Sequence, residues 1–309
     1  MVFLEEIAIF MPLNLPNTNN RFMKFIFIDT FAIDQLTKET YDALSFYLWQ
    51  EKLHIVVTPM LLVEYFSPQL QAGDRTERAV QLLLEHPFVV ANQNTVMQAE
   101  EQAYPDLLPA LPIALSSEQF LDPLPDQDKV ILLRQMLHHG LPETGFDLKN
   151  WAANHQAVKN DWADSVQLII DTARETGKLG DKSAFVESLD LRLCAGLLET
   201  VENLEKSENH NQNFFTNINK LHRINELHDT NLMPGIHLSS LMTWYDYVIA
   251  NKKIHASDWA DIFHAILYPY CDVVIADASR VDCIRRVQRE DGLYKNVRFY
   301  DKKAFLKII

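Results

Sequence analysis

Four short, uninterrupted apolar runs constrain this chain more than any other feature: Phe25-Ile26-Phe27-Ile28, Ile55-Val56-Val57, Phe88-Val89-Val90 and Val273-Val274-Ile275. Three or four consecutive apolar residues, many of them β-branched, suit a strand buried on both faces. The sequence between the runs has helical spacing instead. Leu36, Tyr41, Leu44 and Leu48 mark a helix within Asp34–Lys52, and a second is expected over Asp74–Glu85. Pro59 stands where a helix takes its first residue, opening one that passes through Leu61, Leu62, Glu64 and Tyr65. Helices follow at Ser239–Ala250 and Asp258–Leu267, and a last strand near Val297–Tyr300. Strands alternating with helices define an α/β protein whose parallel sheet is covered on both faces.

Between about 96 and 235 the strand signal vanishes. Amphipathic stretches over Lys129–His138, Trp151–Glu175 and Ala184–Glu205 replace it, with Leu191, Cys194, Leu197, Leu198 and Val201 on one stripe. A polar connection lies between Glu202 and Asn219. With only 8 glycines in 309 residues, a helix-rich chain is expected. The expected organisation is an N-terminal arm over 1–21, an α/β core from 22–95 and 236–309, and a large helical insertion over 96–235. Three cysteines without a CxxC pair cannot make a disulfide framework. Neither a signal peptide nor a run long enough to span a membrane is visible, so a reduced, cytoplasmic protein with no membrane partner is expected.

The chemistry-bearing residues are acids. Asp29 follows the first apolar run and Asp277 closely follows Val273-Val274-Ile275. The carboxyl ends of parallel strands face the ligand crevice, so both acids are aimed at one edge of the sheet. Capping the next helix is the alternative role for such an Asp. Glu64 interrupts the apolar stretch Met60-Leu61-Leu62-Val63 and Tyr65, where an unpartnered carboxylate is costly. Asp258 and Asp261, three apart at a helix start, project from one face; the first-turn position of Asp258 also suits the helix dipole.

In this order the acids resemble the PIN-domain family of metal-dependent ribonucleases. The matching segments are Phe25-Ile26-Phe27-Ile28-Asp29-Thr30, Thr58-Pro59-Met60-Leu61-Leu62-Val63-Glu64, Ser257-Asp258-Trp259-Ala260-Asp261-Ile262-Phe263-His264-Ala265 and Asp272-Val273-Val274-Ile275-Ala276-Asp277. The resemblance implies a three-layer α/β/α domain with a parallel central sheet, carrying the helical insertion. It also implies an acidic cluster that holds Mg²⁺ or Mn²⁺ and cleaves RNA, DNA being the other possible substrate. Asp29, Glu64 and Asp277 carry over as catalytic and metal-binding residues. Either Asp258 or Asp261 completes the set, and the spacing leaves both open. Ile275 stands where the family often has Thr or Ser, and the alternative implied by that departure is a catalytically inactive scaffold binding protein or RNA.

Clustered carboxylates raise one another's pKa unless a cation neutralises them, and all-oxygen ligation selects hard Mg²⁺ or Mn²⁺ over zinc. The formal net charge is −14, which disfavours non-specific coating of nucleic acid. The last thirty residues reverse that sign, with nine Lys or Arg against four Asp or Glu. Arg280, Arg285, Arg286, Arg289, Lys295 and Arg298 are the expected RNA-binding residues, interleaved with Tyr294, Phe299 and Tyr300. A solvated helix face is the other reading of Arg285, Arg286 and Arg289. The helical insertion is a possible docking site for a protein partner. No G-x-G-x-x-G or Walker loop and no HExxH arrangement occurs, which removes the common nucleotide and zinc motifs. Cys271 and Cys283 read as buried small apolar residues and not as nucleophiles.

Overall fold

Each apolar run forms a strand, and the residues flanking it start or stop the helices. The computed structural model describes residues 23–34, 36–66, 72–103, 110–141, 146–177, 179–190 and 233–308. In chain order these form β1 (Lys24–Ile28), α1 (Thr30–Asp34), α2 (Lys38–Glu51), β2 (Leu53–Val57), α3 (Pro59–Phe66), α4 (Ala72–Glu85) and β3 (Phe88–Val90). There follow α5 (Gln93–Ala103), β4 (Leu115–Ser116), α6 (Ser117–Phe120), α7 (Asp126–His139), β5 (Gly140–Leu141), β6 (Phe146–Asp147) and α8 (Leu148–Glu175). Residues 182–190 form α9. The chain continues with α10 (Pro234–Thr243), a π-helical turn (Trp244–Ile249), α11 (Asp258–His264) and a 3₁₀ segment (Ala265–Tyr270). It closes with β7 (Val273–Ile275), α12 (Ala278–Glu290), β8 (Arg298–Tyr300) and α13 (Lys302–Phe305). The expected arm 1–21, the apolar stripe from Leu191 to Val201 and the polar connection 202–219 lie outside the described residues.

Two compact units result. Among the described residues, those within 14–92, 110–153 and 270–309 make a sheet unit, and those within 93–109 and 154–269 a helical unit. In the sheet unit the strand order is β4-β3-β2-β1-β7-β8. Every neighbouring pair is parallel except β3 and β4. The fold is α/β of the three-layer α/β/α kind, as expected. Ile26, Phe27, Val56, Val89 and Val274 are fully buried, the signature of strands covered on both sides. From β1 the chain steps outward one way through β2 to β3, and from β7 it steps the other way to β8. The direction of winding therefore reverses between β1 and β7, which is where open α/β sheets leave a crevice at their carboxyl ends.

The helix ends follow local chemistry. Thr37 and Thr40 form a reciprocal capping box at the start of α2, so the helix begins at Lys38, and the residues before it make the separate short α1. Lys52 ends α2 in the left-handed region at φ 54°. Pro59 opens α3 and Pro234 opens α10, positions that need no N–H. The helix expected over Asp258–Leu267 tightens into the 3₁₀ segment after His264 and contains Pro269, which cannot donate to a helix.

Residues 96–235 are not free of strand, contrary to expectation. Leu115–Ser116 adds an antiparallel edge to the main sheet, and Gly140–Leu141 pairs with Phe146–Asp147. Each contributes two residues, too few to show an apolar period. Ser116 also caps α6 through a capping box with Gln119, so its polarity reads as a helix start and not as sheet.

In the helical unit, His264 is fully enclosed, and loss of hydration pushes its pKa down to about 3, with Lys159 adding in the same direction. The folded state keeps this ring neutral while the unfolded chain binds a proton below about pH 6.5. Its contribution to stability is therefore complete above that pH and lost as the pH falls toward 3. The expected loss between pH 7 and 5 is about 2 kcal/mol. Burial lowers His86 and His54 as well, with the same sign. Urea unfolding at pH 5, 6, 7 and 8 should show this slope, and His264→Gln should flatten it.

Candidate metal centre

The site is built where β1 and β7 end side by side. Ile28 pairs with Ile275, and the Asp29 N–H donates to the Ile275 carbonyl at 3.0 Å. Asp29 thus leaves β1 at the sheet edge, while Asp277 lies one residue further along the neighbouring strand. Their carboxylate oxygens come within 4.8 Å of each other. Asp29 is buried, and the side chain of Asp277 is about a third exposed (37%).

Glu64 comes from α3 to Thr30, the residue that follows Asp29, but is not among the acids whose oxygens converge. The Thr30 hydroxyl lies 3.1 Å from Asp29 Oδ1 and 3.2 Å from Glu64 Oε2. One hydroxyl carries one proton, so it cannot donate fully to both carboxylates at once. Asp29 and Glu64 therefore meet across Thr30 with a single proton between them. Thr30 directly follows the strand-end Asp; its role is missed by a reading that attends only to charge.

Asp277 does two jobs. Its Oδ1 caps α12, accepting from Ser279 N–H at 2.7 Å and Arg280 N–H at 3.2 Å. Its Oδ2 lies 4.0 Å from Arg280 Nε. Helix capping, foreseen as the alternative role for a strand-end Asp, is thus performed by Asp277 while it also faces Asp29. The side chain of Arg280 is buried beside this carboxylate, at the site itself and not on the outer surface.

The two acids of α11 belong to the helical unit. Asp258 Oδ2 accepts from the Tyr247 hydroxyl at 2.8 Å and from His255 N–H at 3.1 Å. It anchors the start of its own helix to the π-helical turn. Asp261 stands one turn further on and is half-buried.

The other expected RNA-binding cations are exposed or half-exposed and have acidic neighbours. Arg285 lies 3.7 Å from Asp282 and 3.8 Å from Asp301, and its Nη2 donates to Phe299 O at 3.4 Å. Arg286 and Arg289 both meet Glu290, at 2.8 and 3.2 Å. Arg298 donates to Glu51 at 3.1 Å. Lys295 is exposed in the turn between α12 and β8. Exposed pairs of this kind are worth ~0–1 kcal/mol and exchange readily for phosphate. Cys271 and Cys283 are buried, and burial raises the Cys271 thiol far above its usual pKa, which excludes it as a nucleophile at neutral pH.

The donor set suits a hard dication. Asp29 and Asp277 offer carboxylate oxygens to one point, and Glu64 adds a carboxylate next to Asp29 across Thr30, with no sulfur or imidazole among them. Two facing carboxylates and a shared hydroxyl proton leave negative charge that a divalent ion would neutralise. Among the described residues, no helix is long and apolar enough to cross a membrane. Comparison of the chain with protein-family models, with curated proteins and with solved structures finds no match in any of the three.

Proposed function

We propose that this chain is a metal-dependent nuclease of the PIN type, most simply an endoribonuclease that hydrolyses RNA phosphodiesters. The observation that carries the reading is the approach of Asp29 and Asp277 to within 4.8 Å at the reversal point of the sheet. Glu64, tied to Asp29 through Thr30, supports it. In this reading Asp29, Glu64 and Asp277 hold Mg²⁺ or Mn²⁺. A bound ion of this class activates water for attack on a phosphodiester and stabilises the departing oxygen. Thr30 orients the two carboxylates, and Arg280, beside Asp277, holds a phosphate oxygen close to the ion. Arg285, Arg286, Arg289, Lys295 and Arg298 supply a salt-sensitive grip on the RNA backbone. Protein partners remain assigned to the helical insertion.

Asp258 is engaged by the Tyr247 hydroxyl and the His255 N–H. Asp258→Asn should therefore lose thermal stability, by about 1–3 kcal/mol, because it weakens a charge-assisted pair at a helix start. Melting temperatures of the variant and the wild type check this.

The direct experiment is cleavage of labelled single-stranded RNA and single-stranded DNA by the purified chain, with Mn²⁺ or with EDTA. RNA cleavage that EDTA abolishes supports the reading; no cleavage of either substrate under any divalent ion opposes it. A catalytically silent scaffold is the second reading, favoured by Ile275 and by the use of Asp277 as a helix cap. Thermal melting with and without Mn²⁺ discriminates. A live site is stabilised by its ligand, by about 2.7 kcal/mol at a hundredfold excess over Kd. A silent scaffold that has lost the ion shows no shift.

A further inference from the structure

We propose that Arg280 is a built-in rival of the metal ion for Asp277, so that ion and phosphate bind the sheet unit cooperatively. The inference rests on the reading of Asp29 and Asp277 as metal ligands and states how that site is regulated. Each oxygen of the Asp277 carboxylate has its own role. Oδ1 accepts the Ser279 N–H at 2.7 Å and the Arg280 N–H at 3.2 Å, which occupies both of its lone pairs. Oδ2 takes no part in that cap, so it is the oxygen left for an ion. It is also the oxygen that faces the guanidinium, with Arg280 Nε 4.0 Å away.

Arg280 cannot withdraw from this competition. Its N–H is fixed to the same carboxylate, and its side chain is only 6% exposed. A guanidinium does not lose its proton in a protein, and a buried charge is screened little by salt. A dication on Oδ2 therefore meets a positive charge already placed beside that oxygen, and the two repel. A phosphate reverses the sign of this arrangement. Its oxygens accept from the guanidinium, so the charge that opposed the ion becomes a second grip on the ion's anionic partner. Ion and nucleic-acid backbone each raise the affinity of the other, by an equal factor. The site is thus fully loaded only when a strand arrives.

Calorimetric titration of Mn²⁺ into the metal-free full chain, without nucleic acid, tests the rivalry. Arg280→Gln and Arg280→Met remove the charge and are expected to bind Mn²⁺ at least about fivefold more tightly than the wild type, the low end of such a coupling. Arg280→Lys keeps the charge and should stay near the wild type. A residue that only supports the fold of the site moves affinity the other way or not at all. Far-UV dichroism and melting temperature identify the variants that fold. The wild type tests the second half without any substitution. Fluorescence anisotropy of a labelled single-stranded RNA should show at least about fivefold tighter binding in Ca²⁺, a hard dication standing in for Mn²⁺, than in EDTA. Neutral variants that fold and bind Mn²⁺ no more tightly than the wild type overturn the proposal, as does an RNA affinity indifferent to the ion. If the wild type and every variant fail to bind Mn²⁺, the metal site itself is removed and this proposal with it. Neither measurement reads cleavage, so a chain that shows both effects and cuts nothing supports the rivalry while it contradicts the nuclease reading.

Discussion

If the proposed nuclease reading holds, Asp29→Asn is expected to lower Mn²⁺-stimulated cleavage of single-stranded RNA by at least about a hundredfold while leaving the fold intact. The size follows from the loss of one charged ligand from a small all-oxygen set: comparable losses of an electrostatic group at a reaction centre cost about 10²–10³ in rate. The fold survives because Asn keeps the shape of the side chain and can still receive the Thr30 hydroxyl at Oδ1. It also removes a negative charge from beside Glu64 and Asp277, which relieves repulsion in the absence of metal. Rates from single-turnover cleavage and melting temperatures from the same preparation measure both halves. Undiminished cleavage by a well-folded Asp29→Asn chain would take Asp29 out of the chemistry and leave the acidic edge without its central member.

The second large effect lies in the helical unit. Gly235→Ala is expected to cost more than about 3 kcal/mol or to prevent folding, a value in the range reserved for overpacking and broken buried polar networks. A Cβ at this position would sit 2.3 Å from the Ile266 carbonyl oxygen and 2.8 Å from Glu100 Oε1. The first neighbour is backbone and cannot step aside. The second is a fully buried carboxylate that accepts from Gly235 N–H at 2.7 Å and Ile236 N–H at 3.0 Å. Those N–H groups belong to the first turn of α10, which has no intrahelical partner for them. Glu100 is thus a built-in anion at a helix N-terminus, held by charge-assisted hydrogen bonds. Glu100→Gln turns one of the two acceptors into an amide that faces an N–H, and a smaller loss of about 2 kcal/mol is expected. Urea unfolding of both variants checks the order: Gly235→Ala worse than Glu100→Gln, and both worse than an exposed change.

The same contrast explains what could be read from the residues alone. β1, β2, β3 and β7 were legible because strands buried on both faces need unbroken apolar runs, and no helix period competes over three or four residues. Asp29 and Asp277 stood out because each follows such a run, where an apolar residue would have continued it. Pro59 announced α3 through its missing N–H. Other features carry no local signal. The two residues of β4 become strand only because β3 offers an open edge, and Ser116 advertises a cap instead. Pairing register is a property of two distant segments, so the one-residue offset of Asp277 from Asp29 appears only once Ile28 is set against Ile275. The double role of Asp277 needs both its helix and its neighbour strand. Thr30 looks like an ordinary polar residue until Glu64 arrives from α3. Glu100 was hidden for the same reason: it lies 135 residues from the N–H group it serves. The tie of Asp258 to Tyr247 and His255 likewise needs the π-helical turn beside it.

The central proposal is that Asp29 and Asp277, with Glu64 beside Asp29, hold one hard dication. Calorimetric titration of Mn²⁺ into the metal-free chain, beside an Asp29→Asn/Asp277→Asn double variant of unchanged melting temperature, measures this directly. Saturable binding by the wild type, lost by at least about a hundredfold in the double variant, is the expected result. Equal affinity in the two proteins, or no saturable heat in either, would contradict it.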